Sequence, residues 1–329
     1  SFPLSQQELD KVHGLDFERD VHPSCLRQGS VKALETIRFA IATHRGCYGE
    51  CNFCAIAVHQ GRTVTWRSRK SIVEEARGIA AHPHFKGIIA DVGGPTANMY
   101  GFECEKKLAQ GSCLKKRCLF PAVCPKMNID HGEQIRLLQE LRSIKGIRKA
   151  VVASGIRYDM ILADRKNGLK YLRELVRHHV SGQMKIAPEH SEEGVLSCMG
   201  KPGRDALLAF RDLFLQLNNQ EKMNQFLTYY MIAAHPGCTL EDMKRLKEFC
   251  TRSLKLLPRQ VQIFTPTPST YSTLMYWTGQ NPFTGEPCFV EKSVAGREKQ
   301  KLVLAAADGG KKSGKGFSSP AKTTNKQKR

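Results

Sequence analysis

The sequence predicts an α/β fold, a partial (β/α)6 barrel, on two observations. Six short apolar runs alternate with five stretches of helical periodicity. Nearly every run also stops at a turn rich in Gly, Pro or His. Nearly continuous apolar strands are what a parallel sheet needs when helices cover it, and parallel neighbours imply right-handed βαβ units. Six units are too few for a closed eightfold barrel, and an open doubly wound sheet fits the same pattern.

Residues 1–35 are polar and irregular and read as a leading linker. The core spans 36–290. Its first strand, 36–41, runs into His44-Arg45-Gly46. A helix follows over 71–81, with Ser71 as N-cap and Glu74 three residues on, the spacing of a capping box. The second strand, 87–92, stops at Gly93-Gly94-Pro95. Residues 101–128 break the rhythm with four cysteines and six basic residues, and read as an insertion after that strand. Ile135, Leu138 and Leu141 mark one face of a helix over 131–143. The third strand, 149–153, ends at Ser154-Gly155, and a helix covers 168–178. The remaining strands are 183–187, 225–233 and 259–264, separated by helices over 204–217 and 239–254. Residues 291–329 read as a basic, largely disordered tail.

Composition narrows the function. A hydrophobic fraction of 41% rules out full disorder. No apolar run reaches the roughly 18 residues that span a bilayer, so no membrane role is expected. Ser1–Leu4 carry no secretory pattern. The sequence does not start with Met, and upstream domains are expected outside it. The net charge is +20. Seven positive residues follow Asp308, and without them 44 positive residues still face 31 negative ones. That permits a polyanionic partner such as RNA, while a solvated basic surface explains it equally. Twelve cysteines without an export signal suit a reducing, cytoplasmic setting, where thiols serve as metal ligands or catalytic groups.

Seven of those cysteines form two clusters. Cys47, Cys51 and Cys54 make a Cys-x3-Cys-x2-Cys triplet directly after the first strand. Soft thiolates favour an iron–sulfur cluster or zinc, and His44 and His59 lie close enough in sequence to complete a zinc site. Cys104, Cys113, Cys118 and Cys124 form the second cluster, in the basic insertion. An auxiliary iron–sulfur cluster, zinc and unliganded thiols all remain open there, and the surrounding cations are expected to lower the thiol pKa values.

The triplet, with Phe53 as the aromatic before its last cysteine, resembles the hallmark of the radical S-adenosylmethionine superfamily. The resemblance implies that Cys47, Cys51 and Cys54 hold a [4Fe–4S] cluster whose fourth iron binds S-adenosylmethionine. It also implies a low-potential electron donor such as flavodoxin or ferredoxin, and hydrogen abstraction from a substrate. The likeness runs over roughly 36–290. Gly93 and Gly94 match a Gly-Gly-Glu position whose carbonyls face the methionine ammonium, with Pro95 in place of the Glu. Lys185–Lys201 is similar to the methylthiotransferase branch, which implies that Glu189 reads the ribose and Lys201 the cofactor carboxylate. Ser154 and Arg157 sit at the end of strand three, where Arg157 would bind an anionic group. Pro236 lies in a turn that resembles the one bordering the adenine in that superfamily, which implies the same place for it here. The Gly-Cys-Tyr-Gly-Glu-Cys start, Ser154–Asp159, Ala187–His190 and the four-cysteine insertion together resemble the YgiQ family, whose members carry an additional N-terminal domain. The competing readings are a methylthiotransferase acting on RNA or protein, and a zinc-containing nucleic-acid-binding protein. The sequence singles out no catalytic residue.

Overall fold

The computed structural model describes residues 3–305. Its centre is an arc of six parallel strand segments whose neighbours follow chain order. β1 (Ala40–Ala42) pairs with Asp91–Gly93 of the second segment. Ile88–Ile89 of that segment pairs with Lys149–Ala150 in the third. The third reaches the fourth, Gln183–Glu189, through the Ile156–Ile186 bridge and the bond from Ile156 N–H to the Lys185 carbonyl. The fourth pairs with Phe226–Ala233, which pairs with Gln260–Ile263. Helices between the strands cover one face, as the expected α/β half-barrel requires.

The strands alternate more than their sequences suggest. In Phe226–Ala233, Leu227, Tyr229, Met231 and Ala233 are buried, and the residues between them are half-buried or exposed. Tyr230 and Ile232 border a cavity at the open mouth, so the two faces of the sheet have different environments. On the other face Phe210, Phe214 and Leu217 of the helix Arg204–Gln220 belong to the main core.

Several boundaries differ from the sequence reading. The helix after β1 starts at Arg69, and its N-cap is Ser68, whose hydroxyl accepts the Ser71 N–H at 3.1 Å. Ser71 is the third residue of the helix and so cannot be its N-cap; its hydroxyl accepts from the Arg67 guanidinium at 2.9 Å. The helices expected over 168–178 and 239–254 each end in a π turn, Leu175–His179 and Cys250–Leu254. The leading linker holds the helix Gln6–His13, closed by a Ser5–Glu8 capping box and anchored by buried Leu9. The tail reading is corrected for 294–305, which form a helix. Its Leu304 and Gln300 are buried, and the Gln300 amide accepts the Ala234 N–H at 2.9 Å and donates to the Cys238 carbonyl at 3.0 Å. The rest of the expected tail, 306–329, lies outside the described residues. Among the described residues, no helix is long and apolar enough to cross a membrane.

Three histidines near the mouth are buried and held neutral. Burial lowers His44 and His190 to about 4 and His235 to about 3. The unfolded chain protonates these rings near their ordinary pKa of about 6.5, where the folded chain does not. Protons then favour the unfolded state, so stability is expected to hold above about pH 6.5 and fall steadily toward pH 4. Urea midpoints measured between pH 7.5 and 4 check this. A flat midpoint in the His44→Gln/His190→Gln/His235→Gln variant, where the wild type slopes, would tie the loss to these rings.

Candidate metal centre and mouth cavity

The cysteine triplet occupies an irregular loop at the C-terminal end of β1, so its shape is fixed from outside. Gly46 has φ +90°, and a Cβ there would lie 2.4 Å from the Thr63 carbonyl oxygen, which leaves glycine as the only fit. A Cβ on Gly49 would sit 3.3 Å from Cys47 Sγ, 3.6 Å from Cys51 Sγ and 2.9 Å from Arg157 Nη1. The two thiols and the guanidinium therefore converge on one point. The Cys54 N–H closes a turn onto the Cys51 carbonyl at 3.0 Å. The Gly49 N–H donates to Cys47 Sγ at 3.3 Å.

Asn52 is the clamp that the sequence reading missed. Its N–H donates to the Met199 carbonyl at 2.8 Å, its amide to the Cys198 carbonyl at 2.8 Å, and its own carbonyl accepts the Ser272 N–H at 2.9 Å. These partners come from distant segments, so no local motif announces them. Cys198 is a second residue that sequence reading passed over. Its thiol hydrogen-bonds with Cys288, which lowers Cys198 to about 7 and raises Cys288.

A cavity of about 370 Å³ opens beside the loop, bordered by Phe53, Cys54, Glu189, Tyr230 and Phe264. Phe53 stands edge-on to the buried His235 ring at 6.1 Å. Glu189 and Lys201 are both buried, with Lys201 Nζ 3.9 Å from Glu189 Oε1. Burial pushes the Glu189 carboxyl up, against the pull of Lys201 and Arg157. Glu50, Glu189 and Ala234 hold positive φ angles of 45°, 71° and 56° without being glycine. Such strain persists only where the surroundings over-determine it, and Glu189 and Ala234 stand at the ends of two adjacent strands at the mouth.

The structure therefore brings Phe53, Cys54 and Glu189 to one cavity, with Lys201 paired to Glu189 and Cys47 and Cys51 on the same loop. Other candidate residues have different partners. The Gly93 carbonyl accepts the Thr43 N–H at 2.7 Å, as part of the pairing of its strand with β1. Gly94 is required by packing, since a Cβ there would lie 2.6 Å from the His44 ring. Ser154 is bonded to Asp91 through its hydroxyl and its N–H. The Pro236 carbonyl accepts from His235 Nδ1 at 2.7 Å. Arg157 is committed to Asp159 through a bidentate pair at 2.7 and 3.0 Å, and its third nitrogen points at Cys51 Sγ at 3.8 Å. It braces the cysteine loop and has little left for a ligand.

Burial decides the thiol chemistry. It pushes Cys47 and Cys54 up, with neighbouring thiols adding to the rise. In the insertion burial also lifts Cys118 to about 11, outweighing Lys107, so the expected lowering by nearby cations fails there. Metal binding would displace these protons, because thiolates are the ligands. Among the described residues, no three His, Cys, Asp or Glu side chains converge tightly enough to hold a single metal ion.

Fold and site together define an α/β half-barrel with a thiol-bearing loop at the C-terminal mouth of its strands. The chain is similar in sequence to several UPF0313 proteins. The chain is 55% identical over 300 residues to the UPF0313 protein FN0734 of Fusobacterium nucleatum, covering 91% of this chain and 53% of the relative. It is 44% identical to a UPF0313 protein of Methanocella arvoryzae, covering 92% and 50%, and 45% identical to one of Thermotoga neapolitana, covering 91% and 52%. The chain thus spans about half the length of the curated relatives it matches. No family model matches it. Similar solved structures include the radical S-adenosylmethionine methyltransferase TsrM of Kitasatospora setae with cobalamin and a [4Fe-4S] cluster bound. That match has a TM-score of 0.46 at 14% identity and covers 75% of this chain and 41% of that one. The cobalamin-dependent S-adenosylmethionine radical enzyme OxsB matches with a TM-score of 0.45 at 17% identity, covering 75% and 31%.

Because Arg157 and Asp159 are both buried, Arg157→Met should leave an unpaired carboxylate inside the protein. Breaking such a pair costs about 3–5 kcal/mol. Urea unfolding of the metal-free chain is expected to show a loss of that order. A loss below about 1 kcal/mol would place the pair among ordinary surface bridges.

Proposed function

We propose that this chain is the core of a radical S-adenosylmethionine enzyme of the YgiQ type, with Cys47, Cys51 and Cys54 as ligands of a [4Fe–4S] cluster. The observation that carries this reading is the mouth cavity, whose wall is shared by Phe53 and Cys54 of the cysteine loop and by buried Glu189. Three thiols leave one iron of such a cluster without a protein ligand, beside a cavity with room for a cofactor. Once bound, such a cluster would supply the single electron that reductive cleavage of S-adenosylmethionine needs, the chemistry that opens hydrogen abstraction from a substrate.

The fit rests on residues of this chain. Glu189 and Lys201 face each other at 3.9 Å, beyond hydrogen-bond range, and neither side chain makes another hydrogen bond among the described residues. Two buried charges so poorly satisfied suit a zwitterionic ligand. Lys201 would take its carboxylate, and Glu189 its hydroxyl groups. Phe53 and Phe264 supply apolar wall beside them. Arg157 and Asn52 keep the thiols in place. A low-potential donor of the flavodoxin or ferredoxin kind is the partner this chemistry requires.

Anaerobic reconstitution with iron and sulfide, followed by reduction, should yield 5′-deoxyadenosine from S-adenosylmethionine. Cys51→Ala is expected to abolish that product. Continued release by the Cys47→Ala/Cys51→Ala/Cys54→Ala variant would end this reading.

Lys201→Ala should remove a charge-assisted hydrogen bond of about 1.5–3 kcal/mol. That weakens cofactor binding by about tenfold to a hundredfold. The iron content should stay at the wild-type value, and Lys201→Arg should recover part of the affinity. An unchanged dissociation constant in the alanine variant would remove Lys201 from the cofactor site.

A further inference from the structure

We propose that Cys104, Cys113, Cys118 and Cys124 hold a second iron–sulfur cluster, ligated by protein at all four positions. The four residues are scattered over the insertion, yet all of them line one cavity of about 330 Å³. No carboxylate or imidazole lines it. Lys106, Lys107, Lys116, Arg117 and Lys126 do, so the wall is positive and offsets the charge of four thiolates. A thiolate-only donor set is soft, which selects iron–sulfur clusters or zinc over harder ions.

Size and spacing separate those two. Tetrahedral zinc, with bonds of about 2.3 Å, brings its sulfurs to within about 3.8 Å of one another. The thiols here surround a space and do not converge on one point, since no trio of ligands among the described residues is tight enough for a single ion. The cavity also far exceeds the roughly 10–15 Å³ that one water-sized probe needs. A polynuclear cluster has room in such a space, with the four thiols on its wall.

The ligands are fastened to the fold. Cys104 stands at the N-cap of the helix Glu105–Gln110. The Cys124 N–H donates to the Cys118 carbonyl at 2.8 Å. Buried Lys107 lies 3.3 Å from Glu103 and 4.6 Å from the Tyr48 ring centre, fixing a cation in the cavity wall. Arg62 is ion-paired with Glu50 of the first cysteine loop and donates to the carbonyls of Cys113 and Lys116 at 3.0 and 3.1 Å. Tyr48, Met99 and Phe102 form a small core that meets Cys47 on one side and Cys104, Cys118 and Cys124 on the other. The second cluster would therefore share a wall with the first. With no iron left open it cannot take S-adenosylmethionine. It stands beside the first site as a carrier of single electrons from the external donor. Loading exchanges four S–H protons for four Fe–S bonds.

The test uses the full chain, reconstituted anaerobically with ferric iron, a dithiol reductant and sulfide, and counts iron, acid-labile sulfide and zinc. Each [4Fe–4S] cluster contributes four irons, so the wild type should carry about eight. The Cys47→Ala/Cys51→Ala/Cys54→Ala variant should keep about four irons and a reduced-state EPR signal insensitive to S-adenosylmethionine. The Cys104→Ser/Cys113→Ser/Cys118→Ser/Cys124→Ser variant should keep the other four irons, with an EPR signal that shifts when the cofactor is added. Circular dichroism confirms that each variant is folded. A wild-type count near four that the quadruple variant retains in full, an iron-free triple variant, or one zinc without sulfide at the second site would overturn the proposal. An iron-free quadruple variant beside an iron-bearing triple variant would instead overturn the reading of the first site and leave this one standing. If the quadruple variant fails to fold, Cys118→Ser alone should still lose iron relative to the wild type, and an unchanged count would again overturn the proposal.

Discussion

Everything at the mouth depends on fixing an irregular eight-residue loop, Cys47–Cys54, that has almost no hydrogen bonds of its own to spend. A loop left free would pay conformational entropy of about 1–2 kcal/mol per residue each time its thiols were gathered. The fold removes that cost by borrowing bonds from far along the chain. Asn52 is bonded to Cys198, Met199 and Ser272, and Arg157 reaches Cys51 while Asp159 holds it. The barrel serves as a frame whose strand ends supply these anchors at set positions.

The insertion extends the same frame outward. Arg62 links it to Glu50, and Arg117 lies over the rings of Tyr271 and Phe283 at 5.3 and 4.8 Å. The cysteine loop is thus flanked by the strand ends on one side and by the insertion on the other. Cation–π contacts of this kind contribute roughly 0.5–1 kcal/mol each where exposed and more where water is excluded. Part of the positive charge that seemed available to an external polyanion is already used in this way.

The fold was legible because its signal is periodic and repeated. Six apolar runs, each closed by a turn, leave few topologies open. The cysteine triplet was legible because its members lie close in sequence. What stayed hidden depends on pairings that no local pattern encodes. Asn52 looks like any polar loop residue until residues 198 and 272 arrive beside it. Arg157 looked like a ligand-binding cation, and only the packed structure shows Asp159 taking its Nε and Nη2 while Nη1 faces Cys51. The π turns at 175–179 and 250–254 have no sequence signature, and the helix at 294–305 was masked by the basic composition that follows it.

That last helix has a consequence for how the protein is made. The turn at Ala234–Cys238 borders the mouth, and its bonding partner Gln300 lies 66 residues later in the chain. At a synthesis rate of about 5–20 residues per second, the ribosome needs roughly 3–13 s to deliver that partner. Five of the six strand segments precede Ala234 and the sixth follows by residue 263, so all are made before its acceptor at residue 300. The nascent chain therefore completes its framework before its mouth, and any metal delivered during translation would meet a site not yet closed on that side.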